Sequence, residues 1–309
     1  MYYNLDAFGK KVVEIRKSHN LTRNELHKLS FVSTETIRKI ETGKYLPSHK
    51  ILDDLSNILK VDLNQIILEF RLDNFSVFDD IKNRMESKFD NDEFYTLEKE
   101  YDDFKNLLLI TKNKYFQQLI NQLILLIEAV ILYKKEEKHE KAIENLIKSM
   151  QISTAEFTLS DYKSFTYNST EIRILMNIAL VLRKLEPKEK SLEIMEFCMG
   201  EIDKNDKLYP KLCYNLSGIY LLTQKYNKSL EYSILGIEYC LEKRKLNGLN
   251  LLYYIKGIAE YNLHYIEYIK SLNKSLNFCE ILGQDNLKKI IINNCKEFYN
   301  IELDTIKSN

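Results

Sequence analysis

Residues 21–43 read LTRNELHKLSFVSTETIRKIETG and carry two short helix patterns separated by a tight turn. The first pattern begins at Thr22, and Glu25 three residues later completes a capping box that satisfies two free backbone amides. The second begins at Ser33, a residue type that is strongly preferred at helix N-termini. Because only three or four residues join the two patterns, this stretch predicts a helix-turn-helix.

Apolar residues on both sides extend this stretch into five short helices within residues 1–70. They recur at helical spacing, so one face of each helix is predicted to be buried. The predicted core residues are Phe8, Val12 and Ile15 before the stretch, Leu26, Leu29, Ile37 and Ile40 within it, and Ile51, Leu52, Leu55, Ile58, Leu63, Ile66 and Ile67 after it. Ser48 and Asp62 are the predicted caps of the last two helices. We place a domain boundary after residue 70.

Residues 71–309 contain a degenerate internal repeat. Four similar phrases begin at Lys141, Lys190, Lys228 and Lys270, and they read KAIE, KSLE, KSLE and KSLN. They recur about every 40 to 50 residues, somewhat above the period of a tetratricopeptide repeat and within the range of helical solenoids. The sequence therefore predicts an all-α protein, in which a five-helix domain precedes a right-handed α-solenoid of tetratricopeptide-like helical hairpins.

Small residues within the repeats indicate where two helices approach closely. The best single copy runs from Asn215 to Gly236 and places Ser217 and Ser229 at such positions. Stacked helix pairs of this kind form a superhelix with a concave inner surface. Residues 285–304 are predicted to form a terminal capping helix.

Composition supports this architecture and excludes several others. The chain has 309 residues but only 8 Gly and 3 Pro, which argues against a glycine-rich nucleotide-binding sheet, a β-sandwich with many turns or a long disordered linker. Its 45 Lys and Arg are cancelled by 45 Asp and Glu. The charge is unevenly distributed, because residues 6–50 hold about twice as many basic as acidic side chains.

Motifs for catalysis, metal binding or membrane insertion are missing from the sequence. It has no glycine-rich phosphate loop, and His139-Glu140 lacks the second histidine of a zinc-binding helix. The five cysteines are widely spaced and indicate free, reduced thiols. The apolar stretch from Leu123 to Tyr133 is interrupted by Glu128 and is too short to span a bilayer. We therefore expect a cytoplasmic protein that has no catalytic residues, cofactor, metal or membrane association.

The N-terminal helices resemble the Cro/repressor-type (XRE-like) DNA-binding domain. The matching residues are Phe8 through Arg16, Leu21 through Leu26, Val32, Ser33, Ile37, Ile40 through Gly43, and Pro47. The resemblance implies that Arg16 pairs with Glu41 and that Arg23 touches a phosphate or a base. The sequence departs from the family at His27 and Phe31, where many members carry Ala and Gly.

In such a domain the third helix lies in the major groove, with its first turns facing the base edges. Because Ile37 and Ile40 are predicted to face inward, the remaining polar residues are the candidates for DNA contact. These DNA-binding candidates are Arg23, Ser33, Thr34, Glu35, Thr36, Arg38 and Lys39. Basic side chains release counterions and recognise guanine, whereas Glu35 would repel phosphate but could accept from cytosine.

The repeats predict a second binding surface. Asn177 and Asn215 occupy the same position in consecutive repeats, and stacked carboxamides can hold the backbone of an extended peptide. Nearby cations could take a carboxylate of that peptide. The peptide-binding candidates are Arg173, Asn177, Lys211, Tyr214, Asn215 and Lys256, with Met176, Leu180, Arg183 and Gly218 beside them. The alternative is that these are ordinary solvated helix residues.

A Cro-like domain followed by tetratricopeptide-like repeats resembles the RNPP family, the Rgg/PlcR/PrgX group of peptide-responsive regulators. The resemblance implies a quorum-sensing transcription factor that binds a double-stranded operator of inverted-repeat form, a short linear signalling peptide and a second copy of itself. Two alternatives remain at this point. The repeats could bind a protein partner such as an antirepressor or a polymerase subunit, or the chain could be an effector enzyme with a vestigial helix-turn-helix.

Overall fold

The computed structural model describes residues 3–71, 75–185 and 188–303, and all regular elements in these ranges are helical. These ranges contain sixteen α-helices and two 3₁₀ turns, which lie at Phe94–Thr96 and Tyr162–Ser164. The predicted all-α class is confirmed. The chain divides into two compact units, of which the first comprises Met1–Arg84 with Asp102–Ile120 and the second comprises Met85–Tyr101 with Asn121–Asn309.

The first five helices of the chain are short, and the last four of them begin at the caps that the sequence predicts. They are α1 (Leu5–Ser18), α2 (Arg23–Ser30), α3 (Thr34–Glu41), α4 (His49–Leu59) and α5 (Leu63–Glu69). Thr22 and Glu25 form the complete capping box of α2. The side chains of Ser33, Ser48 and Asp62 accept hydrogen bonds from the first turns of α3, α4 and α5. These bonds satisfy amides that a helix start otherwise leaves without partners.

The core of these five helices contains the predicted apolar residues with one exception. Ile51, Ile58 and Ile66 pack at its edge, and the other predicted residues are buried apart from Leu29. Leu29 is 52% exposed, so that prediction is wrong. The inward position is taken by Ser30, which lies four residues after Leu26 and donates its hydroxyl to the Leu26 carbonyl at 2.7 Å.

Eleven longer helices follow in the described ranges. They are α6 (Phe75–Asp90), α7 (Glu98–Ile110), α8 (Lys114–Lys134), α9 (His139–Gln151), α10 (Ser169–Leu185), α11 (Lys188–Glu201), α12 (Tyr209–Leu222), α13 (Tyr226–Glu242), α14 (Leu249–Asn262), α15 (Tyr268–Ile281) and α16 (Asp285–Tyr299). Helices α6, α7 and α8 each contribute residues to both units. The domain boundary after residue 70 stays a prediction.

Helices α8 to α15 form the hairpins that the repeated phrases predict, and two hydrogen bonds between Gln122 and Ser149 join α8 to α9. The pairs α10 with α11, α12 with α13, and α14 with α15 pack together, and each pair packs on the next. Each phrase lies in the second helix of a pair, and its small residue is buried: Ala142, Ser191, Ser229 and Ser271. The hydroxyl of Ser191 donates to the carbonyl of Ala179 at 2.7 Å, which joins α11 to α10. The predicted terminal helix is present as α16, and residue 304 lies outside the described ranges.

Helix α8 is longer than the apolar stretch from Leu123 to Tyr133, which by itself is too short to span a bilayer. The helix extends that stretch toward its N-terminus through Phe116 and Ile120, and at 21 residues it is long and apolar enough to cross a membrane by length and composition. However, 56% of its most apolar window is buried inside the protein. This degree of burial is typical of a core helix.

The five cysteines are free, as their spacing predicts, and the structure shows that all five are buried. Burial raises the pKa of Cys198 and Cys213 to about 12 and that of Cys240 and Cys295 to about 11. Burial also raises the pKa of Cys279. All five thiols are therefore protonated at neutral pH, and a protonated thiol is a poor nucleophile.

The close approach of α13 to its neighbours provides a test of the repeat packing. A β-carbon at Gly236 would lie 2.7 Å from Leu252 Cδ2 and 3.0 Å from Cys213 Cβ, whereas one at Gly200 would have nothing within 4 Å. We expect Gly236→Ala to lower the free energy of unfolding by about 1–3 kcal/mol through overpacking. Gly200→Ala should raise it by up to about 1 kcal/mol, because alanine favours the helix. Urea unfolding followed by circular dichroism checks both signs, and equal effects would contradict the packing.

Candidate functional sites

A buried carboxylate fixes α3 against the rest of the helix-turn-helix. The Glu41 side chain has no exposed surface and accepts hydrogen bonds from Arg16 Nε at 2.6 Å and Arg16 Nη2 at 3.3 Å. Arg16 Nη1 donates to the Leu21 carbonyl at 2.6 Å, which extends the bonding to the chain before α2. The structure confirms the expected pair of Arg16 and Glu41.

Arg23 also bonds to this carboxylate. Its Nε lies 2.6 Å from Glu41 Oε2, and 43% of its side chain remains exposed. Sequence reasoning expected a phosphate or base contact and did not anticipate this bond. One carboxylate therefore orients two arginines, one of which is buried and one of which reaches the surface.

The exposed face of α3 carries two cations, Arg38 and Lys39, and one carboxylate, Glu35, which contacts both. Glu35 accepts two hydrogen bonds from the Arg38 guanidinium, at 2.7 and 2.8 Å, and lies 3.7 Å from Lys39 Nζ. The bonds from Arg38 lower the pKa of Glu35 to about 2. Glu35 is therefore charged at neutral pH and offsets part of the positive charge on this face.

The hydroxyl residues at the start of α3 serve the helix cap. Ser33 Oγ accepts from the Thr36 amide at 3.0 Å and lies 2.8 Å from Thr36 Oγ1. Ser33 is exposed, while Thr34 and Thr36 are half-buried. All seven predicted DNA-binding residues thus lie on α3 or at the adjoining helix starts.

His27 and Phe31, the two residues that differ from many Cro-type domains, both take part in the turn between α2 and α3. Phe31 ends α2 in the left-handed conformation, with φ of 58°, and its amide donates to the His27 carbonyl at 2.8 Å. This conformation explains why a glycine is common at this position. The His27 ring lies 3.0 Å from the Val32 carbonyl and so bridges the turn, while the Phe31 side chain is 89% exposed.

A cavity of about 430 Å³ lies in the second unit, on the inner side of the repeats. Its walls come from α10, α12, α14 and α16, from Lys134 at the end of α8, and from residues 89–94 at the end of α6 and just after it. Five of the six predicted peptide-binding residues line it: Arg173, Asn177, Lys211, Tyr214 and Asn215. Lys256 does not, because its ammonium group bonds to Glu260 and to Ser271 Oγ, between α14 and α15.

The two asparagines already have partners within the repeats. Asn177 Nδ2 donates to the Arg173 carbonyl at 2.8 Å, and Asn215 Nδ2 lies 3.1 Å from Met176 Sδ. Both side chains line the cavity although each residue is only 8% exposed. Their proposed bonds to a peptide backbone would therefore use the carbonyl oxygens or exchange these contacts.

Positive charge dominates the cavity wall. Lys134, Arg173, Arg183 and Lys211 face a single lining carboxylate, Asp92. Burial lowers the pKa of Lys134, and Lys211 and Arg183 lower it further against the opposing effect of Asp92. Arg173 Nη1 is buried and has no hydrogen-bond partner among the described residues. A cavity of this composition favours an anionic ligand.

Sequence reasoning missed the part of the wall that does not belong to the repeats. Phe89, Asp92 and Phe94 line the cavity but lie about 80 residues or more before the predicted sites in α10 and α12. Among the described residues no group of three His, Cys, Asp or Glu side chains is arranged as metal ligands.

Comparison with known proteins supports both parts of this description. The helix-turn-helix family profile matches residues 12–66. PlcR of Bacillus thuringiensis, solved in complex with the peptide PapR7 and DNA, superposes with a TM-score of 0.72 at 18% identity over 93% of this chain and 99% of that chain. The chain has the fold of PlcR. A sequence search of curated proteins found no match.

The PlcR fold is shared by two further solved structures. ComR of S. thermophilus, in complex with DNA and its signalling peptide ComS, has a TM-score of 0.58 at 13% identity over 92% of this chain and 97% of that chain. Rgg2 of Streptococcus dysgalactiae, a pheromone receptor, has a TM-score of 0.56 at 13% identity over 94% and 98%. The predicted order of a helix-turn-helix followed by helical repeats is thereby confirmed.

Proposed function

We propose that the chain is a sequence-specific DNA-binding transcriptional regulator controlled by a short signalling peptide. The observation that carries this proposal is one chain that combines a helix-turn-helix, in which α3 exposes Arg38 and Lys39, with a cationic cavity in its helical repeats. PlcR and ComR, which share the fold, are described in complex with both DNA and a peptide. These descriptions support a regulatory rather than an enzymatic role.

In this proposal α3 enters the major groove, and Arg38 and Lys39 contact phosphates or base edges. The exposed part of the Arg23 guanidinium contacts the phosphate backbone of the DNA, while its Nε stays bonded to Glu41. A homodimer on an inverted-repeat operator would present two copies of α3 to two half-sites, in the cytoplasm where the DNA lies.

Glu35 is expected to limit the DNA affinity of α3. Its carboxylate holds Arg38 and repels phosphate, so Glu35→Gln should increase affinity for non-specific duplex DNA by about threefold to tenfold at low salt. Glu14→Gln, which changes an exposed carboxylate paired with Lys11 on α1, is the control with the same net charge. Fluorescence anisotropy with a labelled duplex measures both variants, and equal affinities would contradict this role of Glu35.

The proposed ligand of the cavity is a short peptide. The volume of about 430 Å³ falls in the range of small-ligand sites and fits a few residues rather than a folded protein surface. Asn177 and Asn215 are proposed to hold the peptide backbone, and Arg173, Lys211 and Tyr214 to recognise its polar groups. Lys256 is left out because it does not line the cavity.

The experiment first selects an operator from random duplex DNA with the full chain. Synthetic peptides encoded by short reading frames beside the gene are then added, and operator binding and thermal stability are measured. We expect one peptide to change both, and we expect Asn177→Ala with Asn215→Ala to reduce its affinity at least about tenfold.

The matched control replaces two exposed asparagines, Asn227→Ala with Asn286→Ala, which lie outside the cavity. The peptide proposal fails if no peptide changes either property, or if both double variants respond like the parent chain.

A further inference from the structure

The segment of residues 89–94, which comprises the C-terminal end of α6 and the turn after it, lies across the inner side of the repeats like a bound ligand. Residues 89–94 contact side chains from α10, from α12 and from two of the connections between later helices. All of these residues belong to the second unit. The segment is also rich in carboxylates, since Asp90, Asp92 and Glu93 follow one another closely.

Asp92 makes the central contacts of this segment. Its Oδ1 pairs with Lys211 Nζ, and its Oδ2 accepts from the Tyr214 hydroxyl at 3.3 Å. The residue holds a φ of 57°, so the backbone turns sharply to aim the carboxylate at α12. Burial and this carboxylate raise the pKa of Tyr214 far above its usual range, which keeps the hydroxyl protonated as a donor.

Its neighbours extend the contact along the repeats. Asp90 Oδ2 lies 2.6 Å from Lys245 Nζ, between α13 and α14, and the Asp90 carbonyl lies 3.5 Å from Lys211 Nζ. Glu93 Oε1 accepts from Gln284 Nε2 at 3.4 Å, just before α16. One acidic segment is thus held at three successive levels of the superhelix.

Two aromatic rings fix the segment to the cations of the cavity. The Arg173 guanidinium lies over Phe89 at 5.5 Å, and Lys134 Nζ lies over Phe94 at 4.9 Å. The same two cations line the cavity. The segment therefore occupies positions where a peptide's own aromatic and anionic groups would be favoured.

The fit of this internal occupant is incomplete. Asp90 Oδ1, Asn91 Oδ1 and Arg173 Nη1 are buried without hydrogen-bond partners among the described residues. Buried polar atoms without partners are costly, so the bound segment is held less firmly than its ion pairs alone suggest. An incoming carboxylate would find a free donor in Arg173 and two exchangeable donors in Lys211 and Tyr214.

We propose that residues 89–94 are an internal competitor for the ligand of the cavity, and that a peptide carboxylate displaces Asp92 from Lys211 and Tyr214. This inference rests on the proposed peptide function and specifies the ligand as a peptide with a free carboxylate. The displacement also gives a way to transmit ligand binding along the chain. The segment includes the C-terminal end of α6, and the N-terminal part of α6 belongs to the first unit. Ligand binding thereby releases one end of that helix.

The first test needs no ligand. The chain has no tryptophan, so Tyr95→Trp, at a residue 69% exposed, places a single reporter beside the segment. In this background Asp92→Asn removes the charge while asparagine tolerates the positive φ. We expect faster tryptophan motion in anisotropy decay and about tenfold faster amide exchange over residues 91–96.

Asp79→Asn, on α6, removes an exposed carboxylate that accepts a hydrogen bond from Asn83 Nδ2 at 3.0 Å, and as the matched control it should leave both signals unchanged. Lys211→Gln removes the other partner of the pair and should free the segment as Asp92→Asn does. A segment that stays as rigid in both variants as in the parent overturns the proposal, whatever any peptide does.

The second test uses a random pentapeptide library prepared with free C-terminal carboxylates or with C-terminal amides. We expect free-acid peptides to mobilise the tryptophan and to bind Asp92→Asn about tenfold more tightly than the parent, while amides gain nothing. Equal gains by both forms overturn the competition although peptide binding stands. Failure of every peptide to bind any variant counts against the proposed function, and the ligand-free measurement still decides whether Asp92 restrains the segment.

Discussion

Reversing the charge of both exposed cations of α3, Arg38→Glu with Lys39→Glu, is expected to abolish operator binding. Both side chains lie on the face opposite the buried Ile37 and Ile40, so they are available for DNA without loss of the core. Two lost phosphate contacts should reduce the slope of log affinity against log salt by about 1.8, and two added anions repel the backbone further. The expected loss of affinity at low salt is at least about 100-fold.

The variant Lys141→Glu with Lys204→Glu has the same net charge, with both changes on exposed residues of the repeats. It should bind the operator within about threefold of the parent chain, since distant charges are screened beyond the Debye length. Titration of a labelled operator at several salt concentrations compares the two. Retained binding by the α3 variant would sink the assignment of this helix to the major groove.

Removal of the buried carboxylate is expected to have the largest effect on stability. Glu41→Gln leaves the buried Arg16 guanidinium without its counter-charge, and breaking a buried pair in this way costs about 3–5 kcal/mol. A helix-turn-helix of five short helices would lose much of its stability, because whole domains are stable by only about 5–15 kcal/mol. Amide exchange of α1 to α5 in the full chain measures the loss in this part alone.

Two further variants separate charge from structure at this site. Arg23→Gln removes the partly exposed partner of Glu41 and should cost much less than Glu41→Gln, because Arg16 still pairs with the buried carboxylate. Arg16→Met with Glu41→Leu replaces both buried charges and should recover most of the loss, since apolar replacements of buried pairs are often neutral. If Glu41→Gln were as mild as Arg23→Gln, the carboxylate would have no role in holding α3.

The N-terminal helices were predictable because their signals are local. The side chains of Thr22, Ser33, Ser48 and Asp62 each accept from the amide three residues later, so a short stretch of sequence contains the whole interaction. The prediction that Leu29 is buried was wrong for a reason that is also local. In a helix of eight residues, positions three and four residues after Leu26 compete for the interior, and the hydroxyl of Ser30 could bond where Leu29 could not.

The cavity was only half predictable. Asn177 and Asn215 repeat at a fixed position, so the pattern located the inner face of α10 and α12. Nothing periodic marks Asp92 or Phe94, whose partners lie more than a hundred residues away or across several helices. Lys256 pairs with Glu260, which lies one turn later on α14, and therefore does not line the cavity. Such an i to i+4 pair competes with a ligand for the ammonium group, and the sequence does not show which of the two the side chain contacts.

The burial of all five cysteines has a practical consequence for measuring motion in this protein. Since every native thiol is shielded and protonated, the folded chain offers maleimide reagents almost no background at neutral pH. A cysteine that replaces an exposed residue, such as Lys39 or Tyr95, would be labelled selectively without removing any of the five native cysteines. Pairs of such labels would report distances within the unmodified core.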